Sequence, residues 1–180
     1  MAIAARLKAG ETLGDRVMKV DHSGEHGAIC IYRAQRWFAR WRAPDMIEEL
    51  SAFLAHEKRH RALFGAELRR RERRRCRSYH LCGLGGFVLG AVTGLCGRRA
   101  IAATTVAIET VVLRHMQEQV AELDMVDRAA ADTLRDVIAD EQEHHDLSHL
   151  RLTPPGVWPK VINPVVSAST QAVIWLGMRL

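Results

Sequence analysis

The chain has 180 residues, of which 48% are hydrophobic and 26% charged, and its formal net charge is +5. This length allows one domain with a well-formed hydrophobic core and leaves little room for a second, and the composition excludes a largely disordered chain. The four cysteines include no C-x-x-C pair, which excludes a zinc ribbon and a thioredoxin-like redox motif. Residues 1–10 lack the apolar segment and cleavage site of a secretory signal, so none is expected.

Apolar residues recur every three or four positions along most of the chain, which is the period of an α-helix. The first predicted helix runs from about Leu13 to Arg42, after Thr12 as a candidate cap. Pro44 ends this helix and suits the first turn of the next one. The second helix is predicted from about Asp45 to Arg75.

The second half of the chain repeats this pattern of long helices. A glycine-rich apolar segment, Leu81–Gly97, first predicts a short helix plus turns. Long helices are then predicted over about Arg98–Leu123 and Val126–Leu150. Thr153-Pro154-Pro155-Gly156 predicts a break, and the apolar segment Val161–Leu180 predicts a last short helix.

Four long helices and two extra short ones predict an all-α fold, a ferritin-like four-helix bundle. Residues 1–180 are expected to form this bundle as a single domain. The two extra helices are expected to be partly associated with a membrane surface, because both are apolar.

Basic residues are concentrated in one run, because seven arginines fall between Arg69 and Arg77. No RNA-binding aromatic motif and no helix-turn-helix pattern accompany them, so a nucleic-acid partner is not expected. An apolar segment follows the run, and this combination favours an anionic lipid surface; a solvated helix end is the alternative. Leu81–Gly97 and Val161–Leu176 both fall short of the roughly 18 apolar residues of a spanning helix.

Two Glu-x-x-His motifs, Glu57–His60 and Glu141–His144, occur in the second and fourth long helices. Residues three apart share a helix face, so each pair can bind one metal ion. A lone glutamate, Glu25 or Glu109, precedes each motif by the same 32 residues. One glutamate from each of two helices and one Glu-x-x-His motif from each of the other two is the ligand set of di-iron bundles.

All four glutamates lie on mostly apolar helix faces; Phe53 and Leu54, for example, share the face of Glu57. Such a face should point to the core, where ionised carboxylates need partners. Two divalent cations would balance four carboxylates. The sequence therefore predicts two metal ions bound by Glu25, Glu57, His60, Glu109, Glu141 and His144. Carboxylate and imidazole ligands without a thiolate favour iron or manganese.

His56–His60 also matches the H-E-x-x-H pattern of zinc proteases. That interpretation makes His56 a ligand and Glu57 a general base, but it lacks the extended continuation of the pattern and leaves the other glutamates without a role. Asp21 and Asp140 are candidates to orient the histidine ligands. Exposed helix charges are the alternative for both aspartates.

The segment Val20–Ala28, which reads V-D-H-S-G-E-H-G-A, resembles the signature D-H-x-G-E-x-G-A of the demethoxyubiquinone hydroxylases. These are the di-iron monooxygenases of ubiquinone biosynthesis. The resemblance continues through Glu57–His60, the region of Glu109 and His115, Asp140–Asp146 and Ile174–Leu180, and so covers nearly the whole chain.

The resemblance implies two iron(II) ions per chain that use O₂ to hydroxylate the ring of a polyprenyl demethoxy-benzoquinol. It also implies NADH as the ultimate electron donor and His115 as a candidate electron-relay residue. Tyrosine is usual in the family where His26 and Met116 stand here, so His115 would act without a tyrosine beside it.

The implied partners are the polyprenyl quinol, a membrane surface and proteins of ubiquinone biosynthesis. The implied location is the cytoplasmic side of a bacterial inner membrane, as a peripheral protein, or the mitochondrial inner membrane if a transit peptide was removed. Two other classes stay open. One is a ferritin- or rubrerythrin-like storage or peroxide-detoxifying protein, and the other is a lipid-binding helper that has kept the fold without the activity.

Overall fold

The computed structural model describes residues 4–153 and 156–180. Within these ranges the chain forms six helices and no strand: α1 (Leu13–Arg42), α2 (Ile47–Arg70), α3 (Tyr79–Cys96), α4 (Arg98–Leu123), α5 (Arg128–Leu150) and α6 (Val157–Gly177). A single 3₁₀ turn, Pro44–Met46, joins α1 to α2. The predicted all-α, ferritin-like bundle is confirmed, and the bounds of α1 and α4 are those expected from the sequence.

Local hydrogen bonds define where the first two helices begin and end. Thr12 caps α1 as predicted, because its hydroxyl accepts from the Asp15 amide at 3.1 Å while the Asp15 carboxylate accepts from the Thr12 amide at 3.0 Å. Helix α2 ends at Arg70, five residues before the predicted end. Glu72 adopts φ 54° there, and the Arg73 amide donates to the Leu68 carbonyl at 2.8 Å, which is a Schellman-type ending.

The six helices form two similar halves. In the first half α1 and α2 form an antiparallel hairpin, and α3 returns parallel to α1 along its outer side. In the second half α4 and α5 form a hairpin, and α6 runs parallel to α4 in the same way. The two hairpins together make the four-helix bundle, and α3 and α6 lie outside it.

Two apolar clusters close the bundle at its two ends. The first joins all four bundle helices through fully buried side chains such as Met18, Phe64, Leu123 and Leu134. The second lies toward the α1–α2 turn and contains Ile29, Leu50, Phe53 and Ile101 among others. The layer between these clusters is where the predicted metal ligands lie.

Helix α3 is one continuous helix of 18 residues, so the prediction of a short helix plus turns is wrong. Its buried glycines face α1: a Cβ atom at Gly86 would contact the Gly27 carbonyl oxygen, and one at Gly90 the Ile31 carbonyl oxygen. The glycines therefore permit close helix packing instead of breaking the helix. By length and composition α3 could cross a membrane, contrary to the sequence-based expectation, and 33% of that window is buried inside the protein.

Helix α6 is also longer than expected, with 21 residues and Pro164 inside it. It begins at Val157, after the predicted break. Pro154 and Pro155 of that break lie outside the described residues.

The arginine run is partly structural. Arg71 donates to both carboxylate oxygens of Asp127, at 2.6 and 2.8 Å, and Arg73 donates to Asp15 at 2.9 Å. These contacts tie the end of α2 to the N-termini of α5 and α1. The other five arginines of the run are exposed, and two of them, Arg74 and Arg77, lie shortly before α3 and form no ion pair of their own within the described residues.

Candidate metal centre

The structure brings all six predicted metal ligands together in one layer of the bundle. Each bundle helix contributes a glutamate, and α2 and α5 each add the histidine one turn further on. None of the six is more than 4% exposed. The residues are Glu25 on α1, Glu57 and His60 on α2, Glu109 on α4, and Glu141 and His144 on α5.

Both imidazole rings direct Nδ1 toward the carboxylates. His60 Nδ1 lies 3.1 Å from Glu141 Oε1 and 3.8 Å from Glu25 Oε2. His144 Nδ1 lies 3.3 Å from Glu141 Oε2 and 3.4 Å from Glu57 Oε1. The geometry therefore presents imidazole nitrogen and carboxylate oxygen to the same small volume.

The candidate ligand atoms fall into two adjacent groups, and the atoms of each group lie within 4.8 Å of one another. Glu57 and Glu141 belong to both groups, and the other four residues belong to one group each. Two groups that share two carboxylates are the arrangement expected of a pair of neighbouring ions with bridging ligands. The first group is Glu25, Glu57, His60 and Glu141, and the second is Glu57, Glu109, Glu141 and His144.

Burial and repulsion by the neighbouring carboxylates raise the pKa of Glu25, Glu57 and Glu109 well above the usual value. Burial would also raise the pKa of Glu141, but the two histidines outweigh it and hold that pKa at about 2. Burial opposes protonation of His144, yet its carboxylate neighbours raise its pKa to about 10.

Several of these buried atoms have no hydrogen-bond partner among the described residues: both oxygens of Glu57, Oε2 of Glu141, and Nδ1 of His60 and His144. An unpaired polar atom in the interior is costly, and five of them directed at one volume fit metal coordination. Four carboxylates and two imidazoles match the preference of iron or manganese. The donor set thus fits the predicted pair of divalent ions.

Contacts behind the two histidines fix their orientation. His60 Nε2 lies 3.0 Å from Asp140 Oδ2, and the Arg59 guanidinium also binds this carboxylate. His144 Nε2 lies 3.1 Å from His56 Nδ1. Each metal-facing Nδ1 is thus backed by a partner on the other nitrogen, as metal-binding histidines require.

These contacts settle two expectations from the sequence. Asp140 orients a histidine as expected, whereas the corresponding expectation for Asp21 is wrong, because Asp21 accepts a hydrogen bond from Gln119 at 3.3 Å instead. His56 lies behind His144 and is in neither ligand group, so the zinc-protease arrangement is not formed. The role of His56 was missed because it depends on a contact between helices.

Tyr32 is a further residue that the sequence pattern did not single out. Its hydroxyl donates a 3.1 Å hydrogen bond to Glu109 Oε1, and its ring is buried against Phe53. The only available signal was its place on the same face of α1 as Glu25. That position is equally typical of an ordinary core tyrosine.

A cavity of about 290 Å³ leads from the outer helices to this layer. It lies between α1 and α4 on one side and α3 and α6 on the other, and carboxylates from all four bundle helices line its inner end. Most of its wall is apolar or glycine. The apolar and glycine lining includes Val20, Ala28, Ile31, Leu81, Gly86, Leu89, Ile108, Val112, Met116, Val173 and Ile174.

His115 lies in the wall of this cavity and outside both ligand groups. Its Nε2 atom has no hydrogen-bond partner among the described residues. Burial lowers the pKa of His115, which keeps the ring neutral. A neutral imidazole in this position can hydrogen-bond a molecule inside the cavity, and the proposed electron-relay role stays a prediction.

Comparison with known proteins extends these observations. A family model described as ubiquinone biosynthesis protein COQ7 matches residues 12–177. The 3-demethoxyubiquinol 3-hydroxylase of Rhodospirillum rubrum is 31% identical over 169 residues, which make up 92% of this chain and 78% of that protein.

Two mitochondrial proteins named NADPH-dependent 3-demethoxyubiquinone 3-hydroxylase are equally similar. The protein of Dictyostelium discoideum is 31% identical over 170 residues, and that of Homo sapiens is 31% identical over 173 residues. Each alignment covers 92% of this chain and 77% of the relative. The similarity thus includes all four helices that carry the six candidate ligands.

Proposed function

The chain belongs to the ubiquinone biosynthesis protein COQ7 family, and on this premise we propose that it hydroxylates the ring of a polyprenyl demethoxy-benzoquinol, using O₂ and two iron ions. The names of its relatives support the reaction and the class of substrate. The proposed metal ligands are the six residues Glu25, Glu57, His60, Glu109, Glu141 and His144.

One observation carries this proposal: a mostly apolar cavity ends on the four glutamates. A storage protein needs a polar path for hydrated ions, whereas this path suits an aromatic ring with an isoprenoid tail. The cavity therefore favours the hydroxylase over the ferritin- or rubrerythrin-like alternative. It also favours an enzyme over a lipid-binding helper, since a helper needs no carboxylates at the end of its cavity.

Two iron(II) ions at this site would supply the electrons and open coordination positions with which O₂ is activated. The chain's own residues would bind the two ions and orient the ligand side chains. Glu57 and Glu141, which belong to both ligand groups, would hold both ions, and Asp140 and His56 hold the two imidazoles in position. Apolar side chains such as Val112 and Ile174 exclude water from the space where the ring would lie.

The electrons for turnover must come from outside the bundle. The sequence resemblance implies NADH as the ultimate donor, whereas two of the relatives are named for NADPH. We therefore propose a reduced nicotinamide nucleotide as the ultimate donor, with His115 as a candidate relay residue in the cavity wall.

A membrane surface is the proposed source of the substrate, with the protein bound peripherally. Helix α3 supports this, because it exposes a row of large apolar side chains that includes Leu84, Phe87 and Val92, each more than half exposed. The exposed Arg74 and Arg77 lie just before α3 and would attract anionic lipid. In a bacterium this would be the cytoplasmic face of the inner membrane, with other proteins of ubiquinone biosynthesis as further partners.

The decisive experiment combines metal analysis with a hydroxylation assay. Protein produced with iron should contain about two irons per chain and convert a demethoxy-benzoquinol to its hydroxylated product. Glu141→Ala should lose iron and at least about a thousandfold of the activity, because a ligand that belongs to both groups is removed. Gln142→Ala, in the same motif but exposed, is the matched control and should keep both.

A different result would refute the proposal. Purified protein without iron, or full hydroxylation by Glu141→Ala, is incompatible with a di-iron mechanism at this site. Iron uptake without hydroxylation of any tailed demethoxy-benzoquinol would instead favour the storage alternative.

A further inference from the structure

Asp21 is a buried carboxylate that the proposed metal site does not use. It lies on α1 one helical turn before Glu25, is 8% exposed and borders the cavity. Gln119 on α4 donates to its Oδ1 atom at 3.3 Å. Asp21 belongs to neither group of candidate metal ligands, so it is not an additional ligand.

The second oxygen of this carboxylate is unsatisfied. Within the described part of the chain, Oδ2 of Asp21 has no hydrogen-bond partner, although the atom is buried. The same cavity wall contains His115, whose buried Nε2 atom is also unpaired, and apolar residues such as Val20 and Ile174. Buried polar atoms are almost always hydrogen-bonded, so an unpaired oxygen beside a cavity indicates a ligand that pairs with it.

The position of Asp21 suits the ring of the proposed substrate. One helical turn separates it from Glu25, a rise of about 6 Å along α1. This rise is comparable to the distance across an oxygen-substituted six-membered ring. A ring whose oxygen pairs with Asp21 would therefore reach the glutamate layer with its other edge.

We propose that the free Oδ2 atom of Asp21 accepts a hydrogen bond from a ring hydroxyl of the quinol head group. Gln119 is the positioning residue, since its amide holds the other oxygen and so fixes the carboxylate plane. This inference rests on the proposed function, because it names a substrate contact for that reaction. A contact of this kind would make the cavity bind a ring that carries a hydroxyl more tightly than a hydrocarbon of equal size.

The test compares binding of two probes to the iron-loaded protein without O₂: a demethoxy-benzoquinol with a hexyl tail, and hexylbenzene, which has no ring oxygen. Competition with an apolar fluorescent dye in the cavity measures both affinities. Asp21→Leu should weaken binding of the quinol at least about tenfold and leave hexylbenzene unchanged. Asp21→Asn should keep most of the affinity for the quinol, because its amide still offers a polar atom on each side.

Two further variants control for packing and folding. Met116→Leu changes a cavity side chain without a ring-oxygen contact and should alter both probes equally, by less than about threefold. Gln119→Met leaves Asp21 in place but removes the hydrogen bond to its Oδ1 atom, and should weaken quinol binding about threefold. This variant also provides a test if Asp21→Leu does not fold, as judged by circular dichroism and iron content.

Two outcomes would overturn the inference. One is an Asp21→Leu protein that discriminates the quinol from hexylbenzene as well as the unchanged protein does. The other is an equal loss for both probes, which would make Asp21 a packing residue. Failure of the proposed function is distinguishable from both, because the unchanged protein would then fail to bind iron or to hydroxylate.

Discussion

Glu11 is a buried, ion-paired carboxylate just before the N-terminus of α1. Its side chain is 3% exposed and lies 2.6 Å from Arg16 and 2.7 Å from Lys19. Burial alone would raise the pKa of Glu11, but the hydrogen bonds from these cations outweigh it and lower the pKa from 4.5 to about 2. Because the folded-state value is depressed, this stabilisation is fully present above pH 4.5 and is lost as pH falls toward 2.

We therefore expect Glu11→Gln to lower the free energy of unfolding by about 3 kcal/mol at pH 7, since it leaves the buried Arg16 without its counter-charge. The difference from the unchanged protein should shrink below pH 4.5 and disappear near pH 2. Urea unfolding at several pH values measures it. Glu48→Gln, at an exposed position, is the control. A pH-independent difference would show that the charge is not the cause.

The position of a single side chain could be predicted where the helical repeat alone determines which face of the helix carries it. The Glu-x-x-His spacing and the separation of 32 residues were enough to identify six side chains that now lie together. His56, Tyr32 and Asp21 act through contacts with other helices. Those contacts depend on the rotation of each helix about its axis, which local spacing does not determine.

At the scale of elements, α3 offers the clearest test of packing. We expect Gly90→Ala to destabilise the protein by about 1–3 kcal/mol, because the added methyl group would contact the Ile31 carbonyl oxygen on α1. Gly85→Ala is the matched control, since nothing lies within 4 Å of its Cβ position. Replacing the helical glycine Gly85 by alanine should stabilise the protein by about 0.5–1 kcal/mol. Thermal unfolding measures both, and equal effects would contradict close packing of α3 on α1.

The lengths of the elements were harder to predict than their type. Glycine is common both in turns and at close helix contacts, so the composition of α3 could not distinguish the two. The early end of α2 depends on Glu72 adopting a left-handed conformation that usually selects glycine. By contrast, both ends of α1 could be predicted, because Thr12 caps its start and Pro44 follows its end.

At the scale of the whole molecule, we expect the exposed row on α3 to bind membranes. The double variant Leu84→Glu, Phe87→Glu should reduce binding to vesicles of phosphatidylcholine and anionic phosphatidylglycerol at least about tenfold, because it places charge on an apolar surface. Co-sedimentation measures the bound fraction, and high salt should weaken binding further.

Met125→Glu controls for loss of exposed apolar area elsewhere, since Met125 is 92% exposed at the turn between α4 and α5. It should bind vesicles like the unchanged protein. An equal loss of vesicle binding in Met125→Glu and in the double variant would mean that general hydrophobicity, and not the α3 surface, governs the association.

The sharing of Glu57 and Glu141 has a consequence for how the two halves stay together. Each group of ligand atoms takes three residues from one half and one from the other. A pair of bound ions would therefore act as a reversible cross-link between halves that the chain itself joins only at Gly97. The two fragments of a protein cleaved there should separate at a lower urea concentration once a chelator removes the metal, because only contacts such as the shared apolar cluster and the Arg71–Asp127 ion pair would then hold the halves together.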